Sequence, residues 1–134
     1  HLQMLFEMSG IVPAVNQIEC HPLWNRKKLV SYCQQHGIAV QAYAPLARGL
    51  YLNREIIVRL AEKYGRTPAQ IGLRYLVQRG ICVIPKSTNP SRIAENAAIF
   101  DFQLSDLDME LIDSMDEQFR SASIPDDMIG QGVH

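Results

Sequence analysis

The chain has 134 residues, 47% of them hydrophobic and 20% charged, with a net charge of −1, which suits one domain with a real core and is too short for two. Such a balance lacks the positive field that gathers nucleic acid or an anionic membrane, and no apolar run approaches the roughly 18 residues of a membrane span. Cys20, Cys33 and Cys82 are an odd count with no close pair, which argues against a disulfide framework and for a reducing compartment, the cytoplasm by default.

The chain opens His1-Leu2-Gln3-Met4, without an initiator methionine. Leu2, Leu5 and Phe6 mark one face of a helix that stops at Ser9-Gly10. Opening midway through an amphipathic pattern suggests a piece of a longer protein. Pro13 to Ile18 reads as a first strand, followed by the turn Glu19-Cys20-His21-Pro22. Asn25 is placed to cap a helix with Leu29, Val30 and Cys33 on its apolar face, closed by Gly37. Ile38 to Tyr43 is a second strand ending at Ala44-Pro45. After a loop with Gly49, a helix runs from Asn53 through Tyr64. Thr67-Pro68-Ala69-Gln70 is a capping box with proline at the first helical position, opening a helix that Gly80 ends.

Ile81 to Ile84 is short, apolar and rich in β-branched residues, and reads as a third, buried strand. It runs into Pro85-Lys86-Ser87-Thr88, and Asn89-Pro90 then starts a capped helix. Unpaired N–H groups at that helix start face the same spot as Lys86 and Arg92, with hydroxyls from Ser87 and Thr88, which makes an anion site. The plainer alternative is a strand–helix turn whose cations are merely solvated. Ser105-Asp106-Leu107-Asp108 is a second capping box, for a helix to about Met115. From Gln118 to the end the chain is polar and reads as a mobile tail, 118–134.

Strands alternating with helices predict βαβ units and a parallel sheet. Each strand ends in a residue with chemistry: Gln17 and Glu19, Tyr43, Lys86. No G-x-G-x-x-G or Walker-type stretch follows a strand, which argues against a Rossmann fold or a P-loop. A phosphate grip after the last strand is instead the habit of (β/α)8 barrels. The expected fold class is therefore α/β, part of a TIM barrel.

Pro13-Ala14-Val15-Asn16-Gln17-Ile18-Glu19-Cys20-His21-Pro22, Ala42-Tyr43-Ala44-Pro45-Leu46, Thr67-Pro68-Ala69-Gln70, and Ile84-Pro85-Lys86-Ser87 with Arg92 and Glu95-Asn96 together resemble the C-terminal part of an aldo-keto reductase. The resemblance runs from Pro13 to Arg120. It implies that residues 1–134 form a single partial domain, about three βα units counted as the sixth to eighth of a (β/α)8 barrel. It implies an NADP(H)-dependent oxidoreductase that reduces an aldehyde or ketone to an alcohol by hydride transfer. By position, Gln17 would bond the nicotinamide carboxamide, Tyr43 would stack on the nicotinamide, and Ala44 and Leu46 would line the pyrophosphate path. Lys86, Ser87, Thr88 and Arg92 would grip the 2′-phosphate, and Glu95 and Asn96 would face the adenine. The family's catalytic Asp, Tyr, Lys and His map onto no residue here, so no catalytic residue is assigned.

Ala44 stands where relatives often carry serine, and Ala47-Arg48 replaces a Leu-Gly-type turn. In an intact reductase the missing N-terminal half of the barrel would cover the strand edges; a truncated nucleotide-binding or interaction module without chemistry, covering those edges by self-association, is the competing function. A TIM-barrel lyase or aldolase gripping a phosphorylated substrate is a third. Cys20-His21 has no second ligand pair at metal spacing, and no metal is expected. His36 beside Gly37 reads as a partner of a helix C-terminus. Trp24 is either packing or an overhang at the substrate mouth.

Overall fold

The computed structural model describes residues 2–121. In chain order the elements are α1 (Leu2–Ser9), β1 (Val15–Glu19), α2 (Lys27–Gln35), β2 (Ala39–Tyr43), a 3₁₀ turn (Ala47–Gly49), α3 (Glu55–Tyr64), α4 (Pro68–Gln78), β3 (Cys82–Val83), α5 (Pro90–Ala97) and α6 (Asp106–Asp113). The side chains of Leu2, Leu5 and Phe6 lie outside the described residues, as do residues 122–134 of the segment read as a tail.

The three strands pair in parallel in the order β1-β2-β3. The register runs from Val15↔Ala39 to Glu19↔Tyr43, then Gln41↔Cys82 and Ala42↔Val83. Each new strand joins the same edge in chain order, as in a barrel; a doubly wound sheet reverses direction. The sheet here is open and three-stranded. Ile18, Val40 and Ala42 are buried and share the face that α2 and α4 cover. The opposite face carries Gln17, Gln41 and Cys82 side by side, and its Gln17 and Cys82 are exposed.

Strand limits differ from the expected ones for stated reasons. β1 begins at Val15 rather than Pro13 and extends to Glu19. Ile38 falls outside β2 because its N–H closes α2 on the Cys33 carbonyl at 2.8 Å. β3 has two residues instead of four. Ile84 N–H still reaches the Ala42 carbonyl at 3.3 Å, but Pro85 has no N–H with which to continue.

Helix starts show which local signals decide. Thr67 and Gln70 form both arms of the capping box, with Gln70 N–H donating to Thr67 Oγ1 at 3.2 Å and Thr67 N–H to Gln70 Oε1 at 3.0 Å. Asn89 Oδ1 accepts from Ser91 N–H at 2.9 Å. Asn25 lies one residue early. Arg26 is the N-cap of α2, in the left-handed region at φ 55°, while Asn25 Oδ1 accepts from Lys27 N–H at 3.3 Å. α3 starts at Glu55 after Arg54, not at Asn53. Only half of the second capping box forms. Ser105 Oγ accepts from Asp108 N–H at 3.2 Å, but the Asp108 carboxylate is taken by Lys63 at 2.7 Å and Tyr64 at 2.5 Å.

α6 ends at Asp113, short of Met115. Beyond it, the N–H groups of Glu117 and Phe119 donate to the Leu23 carbonyl at 2.9 and 3.1 Å. Residues 118–121 are therefore tied to the loop after β1.

Candidate functional site

The carboxyl ends of all three strands open on one cleft of about 700 Å³. Gln17 comes from β1, Tyr43 from β2, and Ala44 and Leu46 from the loop that follows β2. Lys86 follows β3, and Arg92 lies in the first turn of α5. Six residues singled out from the sequence thus share one cavity. Among the described residues, three that line it are cationic, Arg48, Lys86 and Arg92, and none is a carboxylate. With the N-terminal end of α5 on the same side, the site suits an anionic, partly apolar ligand.

The other four expected residues do not line the cleft. Ser87 is half-buried, and its Oγ accepts from Asn89 N–H at 3.2 Å. Thr88 is exposed. The Glu95 carbonyl accepts from Gln70 Nε2 at 2.9 Å. Asn96 is 8% exposed, and its Oδ1 has no hydrogen-bond partner among the described residues. Conversely, Arg48, Gly49 and Leu52 line the cleft without having been assigned from sequence. The only sequence signal at Arg48 was a departure from the family's turn.

The loop after β2 is unusual in its backbone. Ala44, Ala47 and Arg48 have φ of 50°, 48° and 55°, a region that costs an L-residue on the order of 1–2 kcal/mol. Such strain persists where surroundings over-determine it. Here Tyr51, fully buried, donates its hydroxyl to the Pro45 carbonyl at 2.8 Å. Turn bonds from Ala47 to Ala44 at 2.9 Å and from Gly49 to Leu46 at 2.8 Å complete the hold.

Behind Tyr43 lies a buried polar cluster. Glu19, 1% exposed, accepts from His21 Nε2 at 3.0 Å and from Ser121 N–H at 2.5 Å, and also from the Ser121 hydroxyl. Burial pushes the Glu19 carboxyl up, but the bonds from His21 and Ser121 outweigh it and hold the group below the usual range. The Arg26 guanidinium lies 4.0 Å from the centroid of Trp24 and Arg120 lies 5.5 Å from it. Trp24 is therefore a packing platform for cations. Burial, with the Glu19 charge adding to it, pushes the Tyr43 phenol up. An acid catalyst needs the opposite shift, so Tyr43 is suited to presenting its ring.

The remaining candidates have structural partners. Cys20 and His21 belong to no group of three or more ligating side chains among the described residues. His36 Nδ1 donates to the Tyr32 carbonyl at 2.8 Å at the end of α2.

A parallel sheet built in chain order, with a cleft at its carboxyl ends lined by three cations, is a βα arrangement of the barrel kind. Residues 1–117 match the Aldo/keto reductase family, a span that takes in α1 as well as the motifs. Glyoxal reductase of Bacillus subtilis is 42% identical over 129 residues, 96% of this chain and 47% of that protein. Among solved structures, Gox0644 in its apo form is 41% identical with a TM-score of 0.87, over 94% of this chain and 46% of that one. A Gox0644 variant in complex with NADPH is 44% identical with a TM-score of 0.83, over 87% of this chain and 43% of that one. This chain belongs to the aldo/keto reductase family, and it spans about half the length of these relatives.

Proposed function

We propose that residues 1–134 are the cofactor-binding portion, the sixth to eighth βα units, of an NADP(H)-dependent aldo-keto reductase that reduces an aldehyde or ketone to an alcohol. The observation that carries this is the cleft shared by Gln17, Tyr43, Lys86 and Arg92, with no carboxylate on its wall among the described residues. A relative that is a glyoxal reductase points to a small carbonyl substrate. A neighbour complexed with NADPH points to the cofactor.

When bound, the dihydronicotinamide supplies the hydride. The exposed amide of Gln17 has both a donor and an acceptor with which it would hold the cofactor's carboxamide. Tyr43 would offer its ring to the nicotinamide. Ala44 and Leu46 line the path of the diphosphate. Lys86 and Arg92 hold the 2′-phosphate at the start of α5, each charge-assisted bond contributing about 1.5–3 kcal/mol. The resemblance would also bring Ser87 and Thr88 to the 2′-phosphate and Glu95 and Asn96 to the adenine, although none of the four lines the cleft. The proton donor and its Asp, Lys and His partners belong to earlier strands of the whole barrel. Val15 is 54% exposed and Ile84 44%, and the rest of the barrel would cover that face. No helix among the described residues is long and apolar enough to cross a membrane. Three free thiols favour the cytoplasm.

A second reading, a nucleotide-binding module without chemistry that covers the same face by self-association, is favoured by that exposure alone. Fluorescence titration with NADPH and NADH, on this chain and on Lys86→Ala, tests the cofactor assignment. NADPH should bind more tightly than NADH, and the variant should lose roughly tenfold or more for NADPH only. Equal affinities in the unaltered chain, with no effect of the substitution, would end it. Upstream strands bearing the Asp, Tyr, Lys and His decide between enzyme and module.

A further inference from the structure

The segment after α6 returns as a strap along the loop that follows β1. Asp116 Oδ1 accepts from Asn25 N–H at 3.1 Å, the N–H groups of Glu117 and Phe119 reach the Leu23 carbonyl, and Arg120 lies over Trp24. The strap then meets Glu19, the last residue of β1. Ser121 donates both its N–H, at 2.5 Å, and its hydroxyl to Glu19 Oε1, and His21 Nε2 donates to the same oxygen at 3.0 Å. Side chains alternate along a strand, so Glu19 shares its face with Gln17 and, through the register, with Tyr43. Gln17 is exposed, and no hydrogen bond or ion pair holds its amide among the described residues. Same-face neighbours on one strand lie about 7 Å apart, a gap that a glutamate and a glutamine close between them. A buried carboxylate that loses donors takes up others within reach, because an unmet buried charge is costly.

We propose that Ser121 latches this strap onto Glu19 and so keeps the Gln17 amide free for the nicotinamide carboxamide. This rests on the reading of the cleft as the cofactor site. Glu19 is 1% exposed, and although burial pushes its carboxyl up, the bonds from His21 and Ser121 outweigh that and keep it ionised. With the latch open, Oε1 loses the two donors that Ser121 supplies. The carboxylate then draws the Gln17 amide N–H toward itself and turns that amide away from the cofactor. Ser121 is a positioning residue, acting on the cofactor through Glu19 and Gln17. Docking of the strap is thereby coupled to the nicotinamide end of the cleft, while the Lys86–Arg92 end is left as it is.

The test titrates the 134-residue chain, Ser121→Pro, and Ser121→Pro combined with Glu19→Gln. The ligands are NADPH and 2′-phospho-ADP-ribose, which lacks the nicotinamide. Proline has neither the N–H nor the hydroxyl, and glutamine keeps an acceptor for His21 without the charge. Ser121→Pro should weaken NADPH roughly tenfold and leave 2′-phospho-ADP-ribose unchanged. The double variant should recover most of the NADPH affinity, since a neutral amide has far less need of the Gln17 N–H. A Ser121→Pro chain that binds NADPH normally, or that loses both ligands alike, overturns the latch while the cleft reading stands. A double variant as weak as the single one removes the Glu19 charge from the mechanism and overturns it too. An unaltered chain that binds neither ligand overturns the cofactor reading and the latch together.

Discussion

A β-carbon built on Gly72 would lie 2.1 Å from the Tyr51 hydroxyl oxygen, closer than any real contact allows. Tyr51 is enclosed on all sides, and its one polar atom is committed to the Pro45 carbonyl. Glycine at this point of α4 therefore gives the ring the space it needs to brace the loop after β2. Gly72→Ala is expected to cost about 3 kcal/mol, the overpacking range, as a lowered urea midpoint. Because Tyr51 holds Pro45, NADPH binding should weaken in the same variant. A midpoint within error of the unaltered chain would show that the ring is not confined as described. Tyr51 and Gly72 are 21 positions apart in the sequence, and no motif announced them. The strand-end residues Gln17, Tyr43 and Lys86 were legible because strand ends in parallel sheets converge on one rim.

Helix termini show the limit of local reading. The capping box at Thr67 needs only residues within one turn, so the sequence displays it fully. Thr67→Ala should cost about 1 kcal/mol, measured by thermal unfolding. The loss should be larger for Gln70→Ala, because Gln70 Nε2 also donates to the Glu95 and Ala98 carbonyls at 2.9 and 3.3 Å, tying α4 to α5. If Thr67→Ala leaves the unfolding curve in place, the cap contributes nothing. Ser105-x-x-Asp108 has the same spelling and a different outcome. Asp108 is 44 residues from Tyr64, and Lys63 and Tyr64 claim its carboxylate. A partner at that separation overrides a local one, and the pattern alone carries no sign of it.

At the scale of the whole molecule, buried carboxylates link distant segments and make stability depend on pH. Hydrogen bonds from Lys63 and Tyr64 hold Asp108 below its ordinary range against the opposing effect of burial. Glu19, stitched to His21 and Ser121, is also lowered. A lowered folded pKa means that the unfolded chain takes up protons first. The stabilisation is therefore complete above about pH 5 and lost as pH falls through the ordinary carboxylate value near 4 and then the folded one. The urea midpoint should fall between pH 7 and pH 3, with a shallower fall in Asp108→Asn. A flat profile for the unaltered chain would contradict the assigned networks.

Taken alone, the sequence determined the order of strands and helices, the Thr67 and Asn89 caps, the parallel sheet and the family. Periodicity, turn residues and capping are encoded within a few neighbours, and several separate motifs in one order carry the resemblance. Only the tertiary structure decided that Asp108 serves Lys63 and Tyr64, and that Arg48 joins Lys86 and Arg92 in lining one cleft. Each of these depends on segments distant in sequence, or on a backbone conformation held by remote packing. Competition among such partners is settled by three-dimensional proximity, which no short stretch of residues records.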